Sequence, residues 1–136
     1  MIRKYHFKLG DRTYDAVVNL NVIEELGRMA GPNEDGTPLD VHTILRVWST
    51  EYGLMKALPV LLREGERLAG RECDIDEKWL MENLTPGEGR WVQIKLSGIL
   101  VEAMKMETAM DEDQEVDEVL EAIKKKVTTE SSQSGS

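Results

Sequence analysis

Polar and apolar side chains alternate over residues 4–9. Tyr5, Phe7 and Leu9 are separated by single polar residues, which is the period of a strand with one buried face. A Gly-Asp pair follows, and residues 13–18 are rich in residue types that favour β-structure. The chain therefore opens with a predicted β-hairpin.

From residue 21 onward the apolar residues recur at helical spacing. We predict that Asn21 caps a first helix and that Asp40 caps a second. Helical spacing continues over residues 52–69, where Pro59 predicts a kink or a new helix start. Asp76 is the predicted cap of a short helix. The hairpin therefore leads into several amphipathic helices.

A capping box and a change of composition mark the last helices. The segment TPGE, residues 85–88, has the residues of a capping box and predicts a long helix that ends near Met110. Residues 111–113 are all acidic and predict a hinge. Residues 116–123 have the spacing of one more amphipathic helix, and the polar end of the chain is predicted to be disordered.

Together these elements predict an α+β fold that is mainly α. It has an N-terminal β-hairpin, a bundle of about five or six helices and a disordered C-terminal tail. We expect a hairpin plus helical domain at 1–110, an acidic hinge with an amphipathic helix at 111–127, and the tail at 128–136. The last helix has only four apolar positions, so burial barely offsets its ordering cost. We therefore expect it to be a docking element.

The long helix has apolar residues on two of its faces. One straight stripe consists of Val92, Leu96, Ile99, Ala103, Met106 and Met110. Such a helix is usually central to a bundle, and the alternative is that its second face docks a partner helix. Methionines near its end suit an adaptable surface. The candidate partner-binding residues are Ile94, Val101, Met104, Met106, Met110, Val116, Val119, Leu120 and Ile123.

Charge is spread unevenly along the chain. Residues 1–106 carry 17 acidic and 14 basic side chains, whereas residues 107–123 carry eight acids and no base. A chain with a net charge of −9 gains nothing from neutralising phosphates, so we expect no nucleic-acid partner. The longest apolar run, residues 57–62, is too short to span a membrane.

The sequence contains no pattern of residues that supports an enzyme. His6 and His42 lack the spacing of metal ligands, and the TPGEGR segment lacks the lysine of a phosphate-binding loop. The acidic segment has Val116 where a calcium loop needs glycine. The lone Cys73 favours a reducing cytoplasm. We therefore expect no catalytic residue, cofactor or metal.

One stretch resembles a known family. The segment FKLGDRTYDAVVNLNVIEELGRM, residues 7–29, has a strand, a Gly-Asp turn, a second strand with tyrosine, then Asn-Leu-Asn and an amphipathic helix. This arrangement resembles the start of small siphophage tail assembly chaperones. The later amphipathic helices and the acidic C-terminal region also match the general build of that family.

The resemblance implies a non-enzymatic protein that acts in the host cytoplasm. Such chaperones coat the long tape-measure protein, keep it soluble, help to recruit major tail-tube subunits and self-associate. Their genes typically carry a programmed ribosomal frameshift that yields a longer form. Because lysine codons can form a run of adenines, our hypothesis is that Lys124–Lys126 marks the slip site and that this chain is the shorter form.

Two other functions remain open from the sequence. The first is another small phage structural protein, such as a head–tail connector subunit. The second is a helix-turn-helix regulator that uses the segment LDVHTILRVWSTEYGL, residues 39–54. That function needs a basic recognition helix, and Arg46 is the only Lys or Arg in the segment.

Overall fold

The computed structural model describes the backbone of residues 2–125 and the side chains of residues 2–50 and 53–105. A two-stranded antiparallel hairpin precedes five helices in this part of the chain, so the predicted fold class is confirmed. The chain divides into two compact units, Met1–Ala103 and Met104–Ser136. The elements are β1 (Tyr5–Leu9), β2 (Arg12–Ala16), α1 (Leu20–Ala30), α2 (Val41–Val47), α3 (Glu51–Leu68), α4 (Glu77–Asn83) and α5 (Pro86–Lys125).

The hairpin has one face in the core, as its alternating pattern predicts. Phe7 lies opposite Tyr14 in the register, and both side chains are buried. Strand β2 ends at Ala16, earlier than predicted, because the chain then leaves β1 for α3. The amide of Val17 donates a hydrogen bond of 3.3 Å to the carbonyl of Leu61 in α3.

Helix α1 begins two residues earlier than the sequence suggested. Asn19, and not Asn21, is its cap, and the Asn19 side chain accepts a hydrogen bond of 3.0 Å from the Val22 amide. Helix α2 has the predicted Asp40 cap, and it packs against α1. The indole Nε1 of the buried Trp48 donates to the carbonyl of Leu26 at 2.9 Å, which ties the end of α2 to α1.

Helix α3 is the central helix of the first unit. It continues through Pro59, so the chain does not start a new helix there. Its contacts reach β2, α1 and α4. Every side chain from Leu54 to Leu62 except that of Lys56 is buried. The other side of α3 is exposed and carries Lys56, Arg63 and Arg67, and the helix-turn-helix interpretation stays a prediction.

The last two helices begin where the sequence predicts, but the long helix does not end where it was predicted to end. Asp76 caps α4, with its carboxylate 2.7 Å from the Trp79 amide. Helix α5 is continuous to Lys125, so the prediction that the long helix ends near Met110 is wrong, and the hinge at residues 111–113 stays a prediction. No glycine or proline follows Gly98 before Lys125, and acidic residues are tolerated inside helices. The predicted division at residue 110 and the disordered tail stay predictions, and the tail lies outside the described residues.

Candidate interaction surface

The start of α5 is fixed by the predicted capping box. The Thr85 hydroxyl accepts a hydrogen bond from the Glu88 amide at 3.2 Å, and the Glu88 carboxylate accepts one from the Thr85 amide at 2.9 Å. Pro86 occupies the first helical position, where its missing N–H costs nothing. The register of the helix is therefore set at its first turn.

One face of α5 is packed into the core of the first unit. Val92, Leu96 and Ile99 are buried, as the predicted stripe requires. Leu100 is also fully buried, although it lies off that stripe. The buried face of α5 is thus wider than the single row of residues predicted from steps of four and three, because a helix in a globular core buries an arc of about 100° or more.

The opposite side of α5 presents three large apolar side chains to solvent. Trp91 is 65% exposed, Ile94 is 53% exposed and Val101 is 39% exposed. Gly98 lies between them in sequence, and a Cβ added there would meet nothing within 4 Å. We call Trp91, Ile94, Gly98 and Val101 the outer face of α5. Exposed apolar side chains that recur along one helix are typical of a surface that binds another protein.

Polar contacts with β1 and the N-terminal residues hold α5 in this orientation. The Lys95 ammonium donates to the carbonyl of His6 and lies 4.6 Å from the centre of the Phe7 ring. The Glu102 carboxylate accepts hydrogen bonds from the Tyr5 hydroxyl at 3.0 Å and from Arg3 at 2.5 Å. These contacts turn Trp91 and Val101 away from the core, so the exposure of the outer face follows from the fold.

Only part of the predicted partner-binding set can be placed. Ile94 and Val101 are exposed, as a binding role requires. Met104, the first residue of the second unit, is half-buried. Trp91 was not among the predicted residues, although its spacing of three and ten residues from Ile94 and Val101 could have indicated it. The side chains of Met106, Met110, Val116, Val119, Leu120 and Ile123 lie outside the described residues.

Two adjacent depressions border α5 on one side and share Arg90 and Gln93. The first has a volume of about 410 Å³, and α4 forms its other wall. The second has a volume of about 320 Å³ and lies beside the start of α3. We call the two together the α4–α5 groove. Its apolar lining residues are Leu54, Met55, Leu80, Met81, Leu84 and Ile94.

A separate cluster of charged side chains joins the hairpin to the end of α3. The fully buried Glu66 carboxylate accepts hydrogen bonds from Arg71 at 2.9 Å, from Arg12 at 2.7 Å and from the Asp15 amide at 2.7 Å. These hydrogen bonds, of which the one from Arg71 has the largest effect, lower the pKa of Glu66 to about 2. Both oxygens of this carboxylate have partners, so its role in the fold is to hold β2 on α3.

Other kinds of site find no support in the described part of the chain. No group of histidine, cysteine and acidic side chains within it could hold a metal ion. No helix within it is both long enough and apolar enough to cross a membrane. Burial raises the pKa of the half-buried Cys73 thiol, which makes the thiolate scarcer at neutral pH. No family model, curated protein or solved structure matches the chain.

Proposed function

We propose that this chain is a non-enzymatic tail assembly chaperone of a siphophage. In this role it binds the tape-measure protein in the host cytoplasm, keeps it soluble and helps to recruit major tail-tube subunits. The observation that carries the proposal is the outer face of α5. It presents Trp91, Ile94 and Val101 to solvent on a helix whose opposite face is fully packed.

The shape of this face suits a helical client. The three apolar side chains lie along ten residue steps of one helix and span about 15 Å, which is the length of nearly three turns of a partner helix. Tryptophan is among the residues that contribute most to binding energy at protein interfaces. A client with a long apolar helix, as the family resemblance implies for the tape-measure protein, would find a matching surface here.

The remaining parts of the proposal come from the resemblance and the charge distribution. The acidic region 107–123 suits a basic client segment and helps to keep a chaperone–client complex soluble. Self-association and a longer frameshifted form with the same first residues belong to the proposal as well. The tail after Lys126 would then be the sequence that is added when the ribosome does not slip.

A pull-down from infected cells, with the full chain as bait, tests this function. The proposal predicts that the tape-measure protein is the main captured protein, identified by mass spectrometry. Trp91→Asp combined with Val101→Asp should reduce its capture about tenfold or more, because both apolar contacts become charged. Leu20→Asp is the matched control, since Leu20 is an 82% exposed apolar residue on α1. Equal capture by all three baits would contradict the proposed surface.

A further inference from the structure

A positively charged side chain, that of Arg90, lies in the middle of the α4–α5 groove. Arg90 lines both depressions, with Met81 and Leu84 on one side and Leu54 and Ile94 on the other. The Arg90 side chain is exposed and forms no hydrogen bond or ion pair with the residues that the structure describes. An unpaired guanidinium between two apolar surfaces favours a ligand that combines carboxylates with apolar side chains.

The groove also has the length and composition of a site for a helix. The stretch of α5 that lines it, from Pro86 to Ser97, is about 16 Å long, or three helical turns. Met81 is 64% exposed at its rim, and Met55 lines its floor. Flexible methionine side chains can adapt to the side chains of an incoming helix. A short amphipathic helix with acidic residues therefore matches the groove.

The chain itself contains a segment with these properties. Val116, Val119 and Ile123 are spaced as on one face of a helix, and Leu120 lies beside them. Glu112 precedes Val116 by four residues and so shares this face. The segment belongs to the region 107–123, which has eight acids and no base. Its apolar spacing matches the apolar lining of the groove. Its carboxylates can pair with Arg90, which lines both depressions, whereas the acidic Glu77 lines only the depression beside α4.

We propose that the α4–α5 groove of one copy binds residues 112–123 of a second copy. The inference rests on the self-association included in the proposed function and names the surfaces that carry it. Because each copy has one groove and one acidic segment, two copies can exchange segments and form a closed dimer with two-fold symmetry. Reciprocal exchange also doubles the area that a single short helix would bury, which helps to reach the area of a stable interface.

Sedimentation velocity of the full chain, over a micromolar to submillimolar range, tests this exchange. The wild-type chain is expected to form a dimer whose population rises with concentration. Arg90→Glu and, separately, Met81→Asp should raise the dimer dissociation constant at least tenfold, because each places a negative charge against the acidic segment. Arg63→Glu is the matched control, since Arg63 is an exposed arginine of α3 outside the groove. Circular dichroism checks that each variant is folded.

A charge exchange identifies the segment that fills the groove. Glu112→Lys combined with Glu115→Lys should weaken the homodimer, and a mixture of this variant with Arg90→Glu should recover association through the reversed pair. A wild-type chain that stays monomeric over the whole range would overturn the proposal, and so would an Arg90→Glu chain that dimerises like wild type. Failure of the tape-measure pull-down would leave these results unchanged, because Trp91 and Val101 do not line the groove.

Discussion

Replacement of Gly65 by alanine should push strand β2 away from α3. Gly65 is the point where α3 passes closest to β2. A Cβ added there would lie 2.3 Å from the carbonyl oxygen of Asp15 and 2.8 Å from the Cα of Ala16. Both are backbone atoms of a paired strand, so the overlap cannot be relieved by the rotation of a side chain. The strand must move by about 1 Å to reach an ordinary van der Waals distance.

That movement acts on two hydrogen bonds at once. The Asp15 amide donates to Glu66 at 2.7 Å and the Val17 amide donates to Leu61 at 3.3 Å. Weakening a bond to a charged group costs about 1.5–3 kcal/mol, and a neutral bond costs about 1 kcal/mol. Alanine regains about 1 kcal/mol of helix propensity over glycine. We therefore expect Gly65→Ala to lower the free energy of unfolding by about 1.5–3 kcal/mol.

Urea denaturation followed by tryptophan fluorescence and by circular dichroism measures this loss. Gly98→Ala is the matched control, because it makes the same change in α5 at a position where nothing lies within 4 Å. The control should raise the free energy of unfolding by about 0.5–1 kcal/mol. If Gly65→Ala stabilises the protein as Gly98→Ala does, β2 does not rest on α3 at this point and the reasoning fails.

Three further predictions concern acid stability, the cysteine and the gene. The pKa of Glu66 is lowered from 4.5 to about 2, so its contribution to stability is complete above pH 4.5 and is lost as the pH falls towards 2. Glu66→Gln should flatten the pH dependence of the urea midpoint in that window, and an unchanged slope would contradict the assignment. Cys73 should react with iodoacetamide much more slowly in the native protein than in urea, and equal rates would show that the thiol is not protected. The codons of Lys124–Lys126 should include a slippery heptamer with an open −1 frame, and its absence from the gene would remove the frameshift hypothesis.

Features that depend on neighbouring residues were predictable from the sequence. Asp40, Asp76 and Thr85 each accept a hydrogen bond from an amide three positions further along the chain, so local spacing alone indicates a helix start. The first helix shows the limit of such reasoning. Both Asn19 and Asn21 can cap a helix, and the choice depends on how the chain leaves β2. There the side-chain Nδ2 groups of Asn19 and Asn21 both donate to the Glu64 carboxylate of α3, at 2.7 and 2.8 Å.

Features that depend on distant residues were not predictable in this way. The burial of Glu66 requires partners about 50 residues away in the hairpin, and no local pattern indicates them. The outer face of α5 is an intermediate case. Its second apolar face was visible in the sequence, but the exposure of Trp91 follows from the packing of the opposite face against the core. The sequence does not indicate the continuity of α5 past residue 110, because a run of acidic residues fits a hinge as well as the interior of a helix.

The most direct test of the central claim is the solubility of the tape-measure protein. It is to be expressed alone and together with the full chain, and its soluble fraction measured by quantitative immunoblotting. We expect the wild-type chain and the Leu20→Asp control to raise the soluble fraction to the same level. The Trp91→Asp/Val101→Asp variant should leave the soluble fraction near the level without the chain, although the variant itself is folded. A soluble fraction that does not rise with the wild-type chain, or that rises equally with the variant, would contradict the account.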